Sequence, residues 1–388
     1  MANYFDYLTW RGDLTFEQDP FNEIDSAILA EVSYFPFEHF EKRMQLSGCL
    51  GELLPAFLRA PDLEDLVLAK AHIRLMKLLA CSERFKDLSV LEFKDIFDEG
   101  HVVQFTVVAL QLSPDLHYIS FRGTNHTLTG WQEDFNMGVE FPVLSQKLSV
   151  IYLNGLAEKT RGNFILGGHS KGGNLAIYAG AFCDQKLQDR IVKIFNFDGP
   201  GFESWIMSQP AYLRIAEKIR TIVPKSSIIG MLLEQAEGYQ VVRSSKSGGM
   251  AQHITASWEV ERNHFIKLES VTDKSLFLDA AITGWITGMD YQQRKQFVDV
   301  LFGILKDADV QSLGEISPKH IRQMLSLVKS YATLEPETRK QMTKAIMALI
   351  RCAREEAPSY GGKGIRLLWK KDTQEMNEID EDLEEAWA

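Results

Sequence analysis

The residues best suited to covalent chemistry form the string GHSKG at positions 168–172. It matches the G-x-S-x-G pattern, in which a serine sits on a sharp turn between a strand and a helix. The apolar stretch 164–166 leads into the string, and the small residues of 172–176 lead out of it. Glycines on both sides tolerate the strained backbone that such a turn imposes. We therefore predict that Ser170 is a nucleophile on this turn; a glycine-rich turn without chemistry is the alternative.

A serine hydroxyl is a weak nucleophile unless a histidine takes its proton and a carboxylate orients that histidine. After Ser170 the chain offers His253, His264 and His320. His253 lies in a polar loop after the predicted strand 239–243, where the base belongs in the order serine, acid, histidine. His264 follows charged residues, which indicates an exposed position, and His320 lies in a helical region. We predict His253 as the general base; an ordinary surface-loop histidine is the alternative.

The carboxylate is harder to assign. Asp198 ends the predicted strand 191–197 and is followed by Gly-Pro-Gly, so it lies at the carboxyl end of a strand, where crevices form. An aspartate that merely caps a turn would look the same. The next predicted strand ends near Ser226 and Ser227, without a carboxylate. This absence favours Asp198 as the acid.

Acyl transfer also requires donors for an oxyanion. The helix after Ser170 supplies unpaired amides in its first turn. A second donor is expected in a loop after an earlier strand, and the segment 121–124, Phe-Arg-Gly-Thr, follows such a strand. We predict that Thr124 supplies it. The alternative is that Arg122 is a structural ion-pair residue and Thr124 a simple turn residue.

The elements around these residues alternate between strand and helix. We predict strands at 101–112, 116–121, 163–166, 191–197, 219–223 and 239–243, and helices at 172–186, 202–218 and 228–235. Helical patterns also begin at Asn22 and span 63–85. Such alternation indicates an α/β fold with a mostly parallel sheet covered on both faces. Further helices follow residue 271: an apolar stripe at 297–305, a cap at Ser317-Pro318, and an apolar pattern at 342–350.

Composition narrows the class of protein. The chain has 388 residues, 45% of them hydrophobic, and a net charge of −11, which argues against a nucleic-acid binder. The first 20 residues show no secretory signal, and no apolar stretch is long enough to span a bilayer. The four cysteines have no metal-type spacing, so reduced thiols are expected. We predict a cytoplasmic protein without an integral membrane segment.

These segments together resemble the class 3 lipases. The likeness runs from about Tyr118 to Ser257, through the segment 121–124, Gly130-Trp131, Asp134, the string at 168–172 and Gly199-Pro200. In that family the Arg-Gly-Ser/Thr segment supplies an oxyanion-hole residue, which corresponds here to Thr124. The amide after the nucleophile, which corresponds to Lys171, supplies the other donor.

A second likeness is more specific. The chain resembles the uncharacterised bacterial lipase-like hydrolases of "domain of unknown function 2974" over most of residues 1–265. The strings that carry this resemblance are RGD at 11–13, PFN at 20–22, GHSKGGNLA at 168–176, FDGPG at 197–201, QH at 252–253 and SW at 257–258.

The chain departs from the class 3 lipases at two places. That family takes its acid from the loop after the strand corresponding to 219–223, where this chain has Ser226 and Ser227. Either the acid has moved to Asp198, or the site is a dyad or inactive. Lys171 replaces the apolar residue that true lipases often place beside the serine. Its cation could meet an anionic group on a substrate; a solvated side chain or a local ion pair is the alternative.

We therefore expect an α/β-hydrolase domain over 1–265, a helical region or cap over 271–365 and an acidic tail over 372–388. The expected activity is that of a serine esterase or lipase-like hydrolase with a triad of Ser170, His253 and Asp198. Its substrate would be a small-molecule or lipid ester, with no metal or organic cofactor. Two alternatives stay open: a non-catalytic hydrolase-fold protein that binds a lipid or protein, and a thioesterase or peptidase on the same scaffold.

Overall fold

The computed structural model describes residues 1–43, 46, 48–125, 127–273, 275–276, 280, 289–307 and 310, together with the single positions 323, 336 and 340. Two compact units form the chain: residues 1–125 with 141–279, and residues 126–140 with 280–388. The helices predicted near 317 and 342–350, His320 and the acidic tail 372–388 lie outside the described residues. The predicted domain boundaries stay predictions.

The first unit is built on a nine-stranded sheet, counted over the described residues, in the order β1-β2-β3-β4-β5-β6-β7-β8-β11. Strands β4 to β8 are parallel, whereas β1 to β4 pair antiparallel and β11 pairs antiparallel with β8. Strands β9 and β10 form a separate hairpin. The strands are β1 Gly48–Cys49, β2 Ser89–Asp98, β3 Val103–Ser113, β4 Leu116–Phe121, β5 Asn163–His169, β6 Ile191–Phe197, β7 Ile219–Pro224, β8 Gln240–Val242, β9 Val260–Glu261, β10 His264–Phe265 and β11 Lys267–Leu268.

Helices surround this sheet. In the first unit they are α1 Tyr4–Arg11, α2 Glu23–Val32, α3 Phe37–Glu41, α4 Leu50–Leu58, α5 Leu63–Leu66, α6 Lys70–Cys81, α8 Leu144–Lys159, α9 Lys171–Phe182, α10 Gln185–Arg190, α11 Ser204–Met207, α12 Pro210–Leu213 and α13 Gly249–His253. Short 3-10 turns lie at Ala216–Lys218, Ile229–Met231 and Thr255–Ser257. The second unit contains α7 Leu128–Asn136 and α14 Tyr291–Asp307.

Two helices cover opposite faces of the parallel strands. Leu166 of β5 and Ile194 of β6 lie against Gly180 of α9. Tyr118 of β4 is in register with residue 165 and points to the other face, where its hydroxyl donates to the carbonyl oxygen of Ser26 in α2 at 2.8 Å. Because successive side chains of a strand point to opposite faces, α2 and α9 enclose the sheet between them. This two-sided covering confirms the predicted α/β-hydrolase fold class.

The second unit is described through α7 and α14. Phe135 and Phe302 meet edge to face with ring centroids 5.4 Å apart. Arg294 donates to the carbonyl oxygen of Gly138 at 2.9 Å, and Lys306 donates to the side chain of Gln132 at 2.7 Å. The buried face of α14 consists of Phe297, Val298, Leu301, Phe302 and Leu305. An apolar core with charged edges therefore joins the two helices.

Most predicted strands are confirmed, and several predicted helices are wrong in extent. The helix predicted over 63–85 is divided between α5 and α6, and the one predicted over 202–218 is divided at Pro210. Of the helix predicted over 228–235 there is one 3-10 turn. Strand β2 has no counterpart in the sequence prediction. Val300, assigned to the buried stripe, is exposed.

Two features bear on the predicted environment of the protein. Cys49, Cys81 and Cys183 are free thiols in the described part of the chain. Among the helices that the structure describes, none has the length and apolar character needed to cross a membrane. The cytoplasmic location stays a prediction.

Candidate active site

Ser170 occupies the turn between β5 and α9. Its backbone has φ 58° and ψ −134°, a conformation that non-glycine residues rarely adopt and that costs on the order of 1–3 kcal/mol. The amide of Ser170 donates to the carbonyl oxygen of Phe197 at 2.9 Å, which ties the strained residue to the end of β6. Its hydroxyl does not cap the helix that it precedes. The serine is therefore held rigidly, and its hydroxyl is not used to complete the helix.

The glycines on either side of Ser170 allow backbones to approach closely. A Cβ atom at Gly172 would collide with the carbonyl oxygen of Phe121 in β4, and one at Gly168 would collide with the backbone of Gly172. A larger residue at either position would displace α9 from the sheet. The strand-to-helix turn that carries Ser170, which we call the elbow, therefore requires glycine at both flanking positions.

His253 and Asp198 are in direct contact. The Nδ1 atom of His253 lies 2.7 Å from Oδ2 of Asp198, and both side chains are buried. A carboxylate can only accept a hydrogen bond, so Nδ1 carries a proton and Nε2 stays available as a proton acceptor. His253 is the last residue of the short helix α13, so the polar loop predicted around it is wrong at this point, and Asp198 directly follows β6. The structure thus brings these two predicted site residues together.

Asp198 is held by residues from the next loop. Its Oδ1 atom accepts hydrogen bonds from the Ser227 hydroxyl at 2.5 Å and from the amide of Gly230 at 3.2 Å. A Cβ atom at Gly230 would collide with that same oxygen. Burial raises the pKa of Asp198, and the hydrogen bonds from His253 and Ser227 act in the opposite direction. Ser227, one of the two serines at the strand end where the sequence has no carboxylate, therefore holds the carboxylate of Asp198 in place.

His169, directly before Ser170, contacts the residue predicted as the base. Its Nε2 atom donates to the carbonyl oxygen of His253 at 2.8 Å, and the two imidazole rings are 4.4 Å apart between centroids. Burial lowers the pKa of His169 to about 4, and the neighbouring His253 adds to that shift. His169 is therefore neutral near pH 7. This hydrogen bond connects the end of α13, which carries His253, to the turn that carries Ser170.

Tyr34, which lies just after the C-terminal end of α2, extends this hydrogen-bonded connection. Since Nε2 of His169 donates to a carbonyl, its Nδ1 atom accepts, and the Tyr34 hydroxyl donates to it over 3.2 Å. The same hydroxyl accepts from the amide of Gly123 at 3.1 Å. A chain of hydrogen bonds thus joins the 121–124 segment, the elbow and the end of α13 that carries His253.

The segment containing Thr124 runs beside the elbow. A Cβ atom at Gly123 would lie 3.0 Å from Cβ of Ser170, so Gly123 passes directly against the serine and Thr124 follows it. Arg122 forms ion pairs with Glu38 and Asp95, each at 3.0 Å. Arg122 is therefore the structural ion-pair residue that the sequence left as an alternative.

Lys171 follows Ser170 at the start of α9. Its side chain is buried, and its Nζ atom donates to the backbone oxygen of Gln104 at 2.9 Å and to the Gln104 side chain at 3.2 Å. The alternative of a solvated lysine is therefore wrong.

Sequence reasoning missed several residues around the site. Two of them had a signal in the sequence: His169 lies inside the motif, and Gln104 is a polar residue between the apolar Val103 and Phe105. Tyr34, Ser227 and Gly230 carried no comparable signal, because their roles depend on loops that meet only in the folded chain. His264 lies in the β9–β10 hairpin. In the described part of the chain, no cluster of three or more His, Cys, Asp or Glu residues has a metal-binding arrangement.

Comparison with known proteins gives a family match. The model of a family described as Mbeg1-like matches residues 79–303. Among solved structures, M37 lipase is 16% identical, with 47% of this chain and 69% of that chain covered and a TM-score of 0.33. Lipase II from Rhizopus niveus is 18% identical over 48% and 72% of the two chains, with a TM-score of 0.29. A fungal lipase–inhibitor complex is 13% identical over 56% and 78%, with a TM-score of 0.31. No curated protein matches the chain.

Proposed function

The chain belongs to the Mbeg1-like family, a lipase-like family, and from this premise we propose that it is a serine hydrolase that cleaves acyl esters. The observation that carries the proposal is the bond between His253 and Asp198 at 2.7 Å, at the end of α13, which His169 binds to the elbow of Ser170. This bond leaves Nε2 of the imidazole to act as a base. The carboxylate bonded to His253 also supports catalysis over a site that has no acid.

The proposed reaction follows from the roles of these groups. The Ser170 hydroxyl attacks the ester carbonyl and gives its proton to Nε2 of His253, while Asp198 stabilises the imidazolium and fixes its orientation. The oxygen of the tetrahedral intermediate accepts hydrogen bonds from the amides of Lys171 and Thr124. His253 then protonates the leaving alcohol. Water attacks the acyl-enzyme with His253 again as the base, which releases the carboxylic acid and restores Ser170.

The substrate class in this proposal is a small-molecule or lipid ester. Membership in a lipase-like family makes lipid esters the first class to examine. Because specificity depends on the shape of the crevice, a series of p-nitrophenyl esters of increasing acyl length would define the preferred chain.

A fluorophosphonate probe tests the proposed nucleophile. Such probes phosphonylate a serine only when a base activates it, so the wild-type protein should be labelled and Ser170→Ala should not. Ser208→Ala serves as a control, because the Ser208 hydroxyl lies at a helix end and bonds only the carbonyl oxygen of Trp205. This variant should be labelled like the wild type. Labelling that persists in Ser170→Ala, or none in a folded wild-type protein, would contradict the proposal.

A further inference from the structure

Gln104 is a buried polar residue of β3 whose side chain binds both sides of Thr124. Its Nε2 atom donates to the carbonyl oxygen of Gly123 at 3.2 Å, and its Oε1 atom accepts from the amide of Asn125 at 3.1 Å. The bonded residues are the immediate neighbours of Thr124 in the chain. One side-chain amide therefore fixes the two peptide groups that flank this residue.

The position of Gln104 explains why a side chain is needed there. The pairing of strands β3 and β4 ends at Phe121. One residue further, the amide of Arg122 donates to the carbonyl oxygen of Thr106 at 3.0 Å. Beyond Arg122, the chain passes directly against Ser170 at Gly123. The amide group of Gln104 has the same donor and acceptor as a peptide, and it continues the hydrogen bonding after the backbone ladder has ended.

Lys171 sets the orientation of the Gln104 amide. The ammonium group donates to Oε1 of Gln104 at 3.2 Å and to its backbone oxygen at 2.9 Å. A lysine has donors and no acceptors, so it selects the oxygen end of the amide and leaves the nitrogen end facing Gly123. Since Lys171 directly follows Ser170, the clamp on the Thr124 segment is also attached to the nucleophile turn.

We propose that Gln104 is a positioning residue for the oxyanion hole, held in place by Lys171. By fixing both neighbours of Thr124, it keeps the Thr124 amide at a constant direction and distance from Ser170. This inference rests on the proposed function, because it assumes that the Thr124 amide binds an oxyanion. It also gives the Lys171 side chain a role distinct from binding an anionic substrate.

A donor that is fixed before the reaction stabilises the transition state without reorganising, so its loss acts mainly on kcat. Gln104→Ala removes both side-chain bonds to the segment and leaves the backbone of β3 in place. We expect kcat for a p-nitrophenyl ester to fall about 10- to 100-fold, with KM changed less than about 2-fold. The inhibition constant of a trifluoromethyl ketone, whose adduct places an oxyanion in the hole, should weaken in parallel.

Gln188→Ala is the matched control. Gln188 is also a buried glutamine that binds backbone oxygens, those of Gly180, Ala181 and Ala211, but it lies at the opposite end of α9 from Ser170. This variant should lose stability as Gln104→Ala does, while kcat and the inhibition constant stay within about 2-fold of wild type. A general loss of stability would affect the two variants equally.

Gln104→Glu provides a second variant of the same size in case the alanine variant does not fold. Its carboxylate keeps an acceptor for Asn125 and Lys171 but replaces the donor to Gly123 by a repelling oxygen, so kcat should again fall while KM is retained. Wild-type kcat in both folded Gln104 variants, or a rise in KM alone, would overturn the inference. Absence of Ser170 labelling in the wild-type protein would instead remove the proposed function itself.

Discussion

Asp198, which follows β6, contacts His253, and residues that follow the neighbouring strand β7 bind the Asp198 carboxylate. Its two carboxylate oxygens have separate partners: Oδ2 faces His253, and Oδ1 faces the Ser227 hydroxyl and the Gly230 amide. The carboxylate cannot rotate without breaking these bonds. In the proposed triad this arrangement would hold the imidazole in one tautomer throughout the reaction.

The hydrogen bond from Ser227 to Asp198 predicts that both side chains contribute to kcat. Ser227→Ala removes a hydrogen bond to a charged group and should lower kcat about 10-fold.

Asp198→Asn leaves the shape of the site but disturbs the tautomer of His253, so it should lower kcat by about 10⁴-fold. Steady-state hydrolysis of a p-nitrophenyl ester measures both effects.

Ser226→Ala is the control for Ser227→Ala. The hydrogen bond at Ser226 comes from its backbone amide to Gln252, which the substitution preserves. Its kcat should equal that of the wild type. Unchanged kcat in Ser227→Ala would show that Ser227 does not support the acid, and unchanged turnover in Asp198→Asn would remove Asp198 from the triad.

At the level of elements, the strands could be predicted wherever apolar runs end in turns. Strand β6 matches its predicted range, and β4 does as well. Each lies between neighbours and is buried along most of its length, so its composition alone identifies it. The candidates at 170 and 198 could be chosen for the same reason, because each directly follows a recognisable strand. His253 could be chosen only from its place after the predicted strand 239–243, since the segment around it resembles a polar loop in the sequence.

Strand β2 could not be predicted because a bulge breaks its alternation. Its register shifts between Val90 and Glu92, so the buried residues Val90 and Phe93 are three positions apart rather than two. Leu91 and Phe97 are exposed, which hides the period further. The predicted helix 202–218 failed for another reason: Pro210 lacks an amide hydrogen and restricts the residue before it.

The close packing at the elbow predicts that Gly172 cannot be replaced without a loss of stability. Gly172→Ala places a Cβ atom against the carbonyl oxygen of Phe121, and a backbone atom cannot move aside as a flexible side chain can. We expect a loss of at least about 2 kcal/mol in the free energy of unfolding, as for strained or overpacked sites. Urea unfolding followed by circular dichroism measures this loss.

Gly155→Ala is the matched control for this substitution. Gly155 lies inside α8, and a Cβ atom there would meet nothing within 4 Å. Alanine favours a helix interior over glycine, so this variant should gain up to about 1 kcal/mol. Equal stability changes in the two variants would mean that the close approach at Gly172 does not constrain the turn.

In the first unit as a whole, the N-terminal helices share one buried core with the central sheet. Helix α2 covers the sheet face opposite α9, and Tyr34, just after α2, donates a hydrogen bond to His169, which precedes Ser170. The apolar side chains of α1, α2, α4 and α6 belong to the same buried cluster as Phe197 of β6. The candidate site therefore depends on how firmly this N-terminal layer is held to the sheet.

Arg84 is the main polar fastening of that layer. Its guanidinium forms two bonds with the Asp25 carboxylate, at 2.5 and 2.7 Å, with both side chains fully buried. It also donates to four carbonyl oxygens of the preceding segment, those of Leu14, Thr15, Asp19 and Pro20. One side chain thus connects the segment before α2, α2 itself and the turn after α6.

Removing this fastening should destabilise the entire first unit. Arg84→Met keeps the length of the side chain but leaves a buried carboxylate without its charged partner, so the free energy of unfolding should fall by about 3–5 kcal/mol. Arg43→Met breaks an exposed pair with Asp62 and should cost less than about 1 kcal/mol. Urea unfolding of both variants gives the comparison. The contrary result would be a free energy of unfolding that falls no further in Arg84→Met than in Arg43→Met. That result would mean that the buried ion pair only compensates for its own desolvation and that apolar packing alone holds the N-terminal layer to the sheet.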